Sequence, residues 1–407
     1  MIKRIALVDW KGSGHHPTFF NHFLLAFEEL GIDVLAHCPD PSAAAALADE
    51  TRGNSVPGAR GTTRFLPVTV PAKRFRTLRP RRISAIDWSI RHFRGIENQL
   101  IDLQRESGKK LDAVFHACIY DIDFQWMWYA APFLRLPWTG LYLHAMSYRM
   151  PGRPHPVTRK VPCPKSMFSS RLCRGIAVLD EGIADRMSQE IRKPVLALPD
   201  PADERLAANA SERVLGDQLK QFAAGRPIVG LFGHLQKSKG LLAFLEAARM
   251  PAASGICFAL GGEMLWPADP TEARQARKLL GDSANLWTHL ERIPTEPALS
   301  HLMASCDVLA ASYVDFPHSS GIQAKAAALQ KPLIVSDGYL MAERSRRFRM
   351  GAVVEQNHPE KFLEAVIDIT RDPAGWVKRT QPLWQEYLRE HSFDRLKEQL
   401  GKLLSQF

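Results

Sequence analysis

Residues 227–240, PIVGLFGHLQKSKG, hold an apolar run, a tight turn at Gly233 and a lysine, Lys239, just ahead of LLAFLEAARM (241–250), which has the composition of a buried helix. An apolar strand, a glycine turn and a helix in that order are part of a βαβ unit. Further along, HSSGIQAKAAALQKPLIVSDG (318–338) offers a second helix whose first turn begins at Ser319, Ser320 and Gly321. Helix N-termini present unpaired N–H groups and the positive end of the peptide dipole. Two of them with Lys239 between predict a cradle for a diphosphate, and so a nucleotide-linked ligand. The dipole mildly disfavours a cation at a helix start, which argues against an incidental surface role for Lys239. Ser319 and Ser320 also fit as ordinary N-caps.

Outward from this stretch the same pattern repeats. Apolar runs at 4–8, 33–37, 113–117, 139–143, 175–179 and 195–198, then at 228–232, 256–260, 286–290, 308–311, 333–335 and 352–354, alternate with helix-length amphipathic segments. Such alternation predicts α/β structure with two parallel, Rossmann-like sheets. The segment 198–227 is rich in Pro, Ala and charge and has no strand pattern, so the domains are read as 1–200 and 201–380, with helices in 381–407.

At 407 residues the chain suits two domains, and 45% hydrophobic with 24% charged residues is the balance of a soluble globular protein. No apolar run reaches the roughly 18 residues of a membrane span. The N-terminus, MIKRIALVDWKGSG, reads as a first strand rather than a signal peptide, so a cytoplasmic location is expected. The six cysteines have no CxxC spacing, so reduced thiols and no metal site are expected. Part of the formal charge of +10 lies at Lys73, Arg74, Arg76, Arg79, Arg81, Arg82, Arg91 and Arg94, beside Phe75, Trp88 and Phe93. Residues 73–94 thus read as a peripheral contact with an anionic membrane at its inner face, or as a solvated loop; no nucleic acid partner is expected.

Gly12 and Gly14 follow the first strand and precede a helix with Phe19, Phe20, Phe23, Leu24 and Phe27 on one face, so this turn is a candidate cleft wall. A dinucleotide fingerprint would need a third glycine and an acid after the second strand, where Cys38 and Pro39 stand, so NAD is set aside. His15 and His16 either contact an acceptor or cap the helix. His144 ends a strand at its carboxyl end and reads as a ligand contact or a structural histidine; His116, with Asp121 after it, has the same address. Phe124, Trp126, Trp128, Tyr129 and Phe133 read as packing.

Taken together, these segments resemble the retaining glycosyltransferases of family four, over nearly the whole chain. GIAVLDEGIADRMSQEIRKPVLALPDPAD looks like the family's last N-domain strand, helix and P-N-P-x-D linker, with Asp200 in the asparagine's place. LFGHLQKSKG looks like its G-R-L-x-x-x-K-G, FALGGE like its V-G-x-G-P, and the segment around 306–337 like its E-x7-E element. The resemblance implies the GT-B architecture: two facing Rossmann-like domains, with a C-terminal helix crossing back onto the N-domain, for which Trp384, Tyr387 and Leu388 would be the apolar stripe. It implies diphosphate binding by Lys239 with His234 in place of an arginine, glycine turns at Gly12, Gly14, Gly233 and Gly262, and a nucleobase loop at Arg292, Ile293 and Pro294. It also implies Ser319, Ser320 and Gly321 at the donor, and an active-site histidine at His144. The family's two glutamates fall on Pro317 and Lys325, so the E-x7-E element is degenerate.

The activity so implied is transfer of a hexosyl residue from a nucleotide diphosphate sugar, a UDP-sugar first, to a saccharide, lipid-linked or natural-product hydroxyl, with His144 and Lys239 catalytic and no separate cofactor or metal. The alternatives are a GT-B UDP-N-acetylhexosamine epimerase and a non-catalytic glycosyltransferase-like subunit.

Overall fold

The computed structural model describes residues 2–12, 14–52, 61–69, 81–124, 127–153, 163–202, 205, 207–281 and 283–407. Ser13, Trp126, Asp203 and the basic run from Lys73 to Arg79 lie outside them. The chain divides into two compact units, Met1–Pro199 with Phe393–Phe407, and Asp200–Ser392.

The first unit is a seven-stranded parallel sheet: β1 (Arg4–Val8), β2 (Asp33–Cys38), β3 (Thr63–Pro67), β4 (Ala113–Ile119), β5 (Trp138–Tyr142), β6 (Ile176–Val178) and β7 (Val195–Ala197), in the order β3-β2-β1-β4-β5-β6-β7. Strands covered on both faces need apolar residues at successive positions. RIALV supplies them: Ile5 and Leu7 enter the core on one side of the sheet, Ala6 and Val8 that on the other. The phenylalanines 19, 20, 23 and 27 of the helix His16–Glu29 pack with the first of these cores, together with Leu396, Leu400, Leu403 and Leu404 of the closing helix Phe393–Leu404. Strand β3 escapes the sequence reading because it is an edge strand with no buried residue, so its sequence, TRFLP, lacks a long apolar signature.

The second unit contains β8 (Ile228–Phe232), β9 (Cys257–Gly261), β10 (Leu286–His289), β11 (Val308–Ala311), β12 (Leu333–Ser336) and β13 (Val353–Val354), all parallel, ordered β10-β9-β8-β11-β12-β13. Trp384 and Tyr387, expected to pack on the N-domain, instead enter this unit's core: Tyr387 meets Phe348 edge-to-face at 5.1 Å, and the Leu383 N–H donates to the Phe348 carbonyl. An amphipathic stripe shows that a helix is buried, not against which sheet. Only the segment from Phe393 onward joins the first unit.

Trp88 and Phe93, read as flanking a membrane-binding run, are buried on the helix Arg81–Ser107. Phe93 packs on Phe124 in the first unit's core, so neither ring is available to insert into lipid. Among the described residues no helix is long and apolar enough to cross a membrane.

Candidate functional site

In the second unit the strand order reverses between β8 and β11, and ligands of open parallel sheets collect outside the carboxyl ends of the strands at such a switch point. The loop after β8 leaves the sheet with its Gly233 N–H on the Gly261 carbonyl and its Leu235 N–H on that of Glu263. One turn of 3-10 helix, Lys237–Lys239, then meets Gly240, the N-cap of the helix Leu241–Ala248. Gly240 has φ +73°, and a Cβ there would stand 2.2 Å from the Ser312 carbonyl oxygen, so only glycine lets this turn close on the loop after β11. The Val314 N–H, donating to the Ser238 carbonyl at 2.9 Å, joins the two loops again.

Lys239 therefore stands at the switch point. Its Nζ lies 3.8 Å from the ring centroid of Tyr313 and 5.3 Å from that of Phe316. Such contacts contribute about 0.5–1 kcal/mol at exposed sites, less than a phosphate can offer the same ammonium. His234 is exposed, with Nε2 3.7 Å from a Glu263 carboxylate oxygen. Gly262 follows β9 beside Gly233. Arg292, exposed, and Ile293, half-buried, lie between β10 and the helix Glu296–Ala304.

Ser320 and Gly321 open the helix Ile322–Ala328, their carbonyls accepting from Gln323 and Lys325 N–H groups. The Ser319 hydroxyl has a different role from the one expected. It donates to Asp200 Oδ2 at 2.9 Å and accepts from Arg344 Nη1 at 2.8 Å, in a buried network. Lys325, in the place of the second glutamate, is held 2.9 Å from Glu296 Oε2.

In the first unit the reversal falls between β1 and β4. The turn with Gly12 and Gly14 is exposed there, and behind it stands a set of polar groups that sequence reading did not assemble. Asp9 ends β1 and accepts from His16 Nδ1 at 2.7 Å. His16 Nε2 and His15 Nε2 lie 3.0 and 2.8 Å from the Tyr120 hydroxyl. His144 packs edge-on to Tyr120, with ring centroids 5.3 Å apart, and 6.3 Å from the His15 ring. Lys11 Nζ lies 4.2 Å from the Tyr120 ring centroid. The β4–β5 register shifts between His116 and Ile119, just before Tyr120. Cys118 brings a sulfur within 4.8 Å of Asp9 and His16 donor atoms, but burial and the Asp9 charge push its thiol well above the ordinary range, so it is a neutral neighbour. The available signal was Asp9 itself, an acid at the carboxyl end of the first strand.

His116 is a core residue, ringed by Trp10, Phe93, Phe124 and Trp138, and burial, aided by nearby His92, pushes its pKa down to about 3. Asp121 is also buried, with the Tyr142 hydroxyl donating to Oδ1; burial, only partly opposed by that bond, raises its pKa to about 7. The native state thus keeps a proton that the unfolded chain loses above about pH 4, so stability falls as pH rises from there to about 7. Asp121→Asn, which cannot ionise, is expected to gain about 3 kcal/mol on the wild type between pH 5 and pH 8 in urea unfolding. A difference independent of pH would mean that Asp121 is ionised in the native protein.

No protein-family profile matches the sequence, and no curated protein is significantly similar to it. Solved structures are similar along the whole chain. A glycosyltransferase from Rickettsia africae aligns with a TM-score of 0.66 at 11% identity, covering 100% of this chain and 98% of that one. HepE from Anabaena, in complex with UDP, aligns with a TM-score of 0.67 at 14% identity and 100% of both chains. Sucrose-phosphate synthase from Thermosynechococcus elongatus gives 0.66 at 14%, covering 99% and 98%. The chain has the GT-B fold of two Rossmann-like domains that these structures share.

Proposed function

We propose that the chain is a glycosyltransferase that moves a hexosyl residue from a UDP-sugar to a hydroxyl of a saccharide, lipid-linked or natural-product acceptor, with retention at the anomeric carbon. The observation that carries this reading is Lys239 at the switch point of the second domain. The fold is shared with HepE, which has been solved with UDP and with UDP-glucose. In the reaction the bond from the anomeric carbon to the diphosphate breaks, and its electron pair stays on the phosphate. Lys239, leaving the rings of Tyr313 and Phe316, stabilises that charge where it develops. Peripheral attachment of 73–94 to an anionic membrane belongs to this reading through charge alone, since Trp88 and Phe93 are buried.

Lys239→Ala is expected to weaken UDP binding by about 1.5–3 kcal/mol, the range for hydrogen bonds to charged groups, measured by titration calorimetry. An unchanged affinity would remove the diphosphate from this loop. One observation favours a second reading, a non-catalytic glycosyltransferase-like subunit: Pro317 and Lys325 stand where the resembled family has glutamates, and Lys325 is engaged by Glu296. UDP binding without release of UDP from any nucleotide sugar would favour that reading over transfer.

A further inference from the structure

Asp9, His16, Tyr120 and His15 form an unbroken hydrogen-bonded chain from the interior of the first domain to its surface. We propose that this chain is a proton relay, and that its outer end, His15, is the base that takes the proton of the acceptor hydroxyl. The inference rests on the glycosyl-transfer reading and adds to it the group that activates the nucleophile.

The proton positions follow from what each group can donate. Asp9 and His16 are both buried, and an ionised carboxylate only accepts, so His16 Nδ1 carries the hydrogen on the 2.7 Å bond. The Nε2 of that neutral imidazole then has no hydrogen and accepts from the Tyr120 hydroxyl at 3.0 Å. A phenol has one proton, now committed inward, so His15 Nε2 is the donor on the 2.8 Å bond. One arrangement satisfies all three bonds, and it leaves the basic lone pair of the exposed His15 on Nδ1. The chain also has a direction. Asp9, held by the Lys11 backbone N–H at 2.9 Å, attracts positive charge inward, while the Lys11 ammonium over Tyr120 repels it from the outer end.

In the step, the acceptor O–H breaks and its proton goes to His15 Nδ1. The freed electron pair forms the new bond to the anomeric carbon, and the diphosphate leaves with the pair of the old one. The His15 Nε2 proton moves to the Tyr120 oxygen as the Tyr120 proton moves to His16 Nε2. The charge then rests on an imidazolium paired with Asp9, and reverse transfer to solvent resets the chain. His15 is the catalytic residue; Tyr120, His16 and Asp9 act through it.

Two measurements on the full chain test this. In protein carrying 15N-histidine, with resonances assigned through His15→Gln and His16→Gln, long-range proton–nitrogen correlations read the tautomers. Nδ1–H at His16 and Nε2–H at His15 are expected, and the other tautomer at either position overturns the relay. The second is UDP or GDP release, with water as acceptor, from UDP-glucose, UDP-galactose, UDP-N-acetylglucosamine and GDP-mannose. His15→Ala should lower kcat by roughly 10²–10⁴-fold, the usual share of general acid–base catalysis, with UDP affinity kept and the rate restored by added imidazole. Tyr120→Phe should lower kcat with KM unchanged. A wild-type rate in His15→Ala, or a loss that imidazole does not restore, overturns the base and leaves the transferase reading standing. No turnover of any of the four donors by the wild type overturns both.

Discussion

Arg344→Met is expected to destabilise the protein by about 3–5 kcal/mol in chemical denaturation, the cost of removing one partner from a buried ionic pair. Arg344 is 1% exposed, on the helix Leu340–Phe348, and reaches Asp200 through the Ser319 hydroxyl. Burial raises the pKa of Asp200, while Ser319 and Arg344 pull it back down. Without the guanidinium, Asp200 must either stay charged with one fewer compensating group or take up a proton, and each costs stability. Asp200→Asn added to Arg344→Met should recover part of the loss, because the two changes act on one network and are not additive. A loss below about 1 kcal/mol in the single variant would place the pair among the weak surface ion pairs.

That network marks the limit of what the sequence discloses. Ser319 is legible as a small residue before a helix, and N-cap and phosphate ligand are the roles that local spacing suggests. Its actual partners come from positions 119 and 25 residues away, which no periodicity encodes. The same holds in the first domain, where Tyr120 reaches back to His15 and His16 across more than a hundred residues. The strands of the two sheets, by contrast, are legible because each buried parallel strand must be apolar over its length, a local requirement. Lys239 is legible for a similar reason, since strand, glycine turn and lysine are contiguous. Trp384 and Tyr387 fall between these cases: their burial is local information, their choice of core is not.

Gly262→Ala is expected to cost about 3–5 kcal/mol and to weaken UDP binding as well. Gly262 has φ +135°, outside the range of L side chains, and an added Cβ would stand 1.9 Å from the Gly233 carbonyl oxygen, a backbone atom that cannot swing aside. Backbone strain of about 1–3 kcal/mol and overpacking of similar size both apply. The Gly262 N–H donates to the His289 carbonyl at 2.8 Å, so the residue cannot retreat without loosening the ends of β9 and β10. Gly233 must yield instead, and it begins the turn that carries His234 and leads to Lys239. The stability loss and the loss of UDP affinity should therefore appear together. Gly255→Ala serves as the control: nothing lies within 4 Å of its added Cβ, and a change within about 0.5 kcal/mol is expected. If Gly262→Ala unfolds with the wild type, the close approach of the two turns is not what fixes the loop. If it is destabilised but binds UDP as the wild type does, then the β8 turn can shift without disturbing the ligand, and the diphosphate must be held by groups beyond that turn.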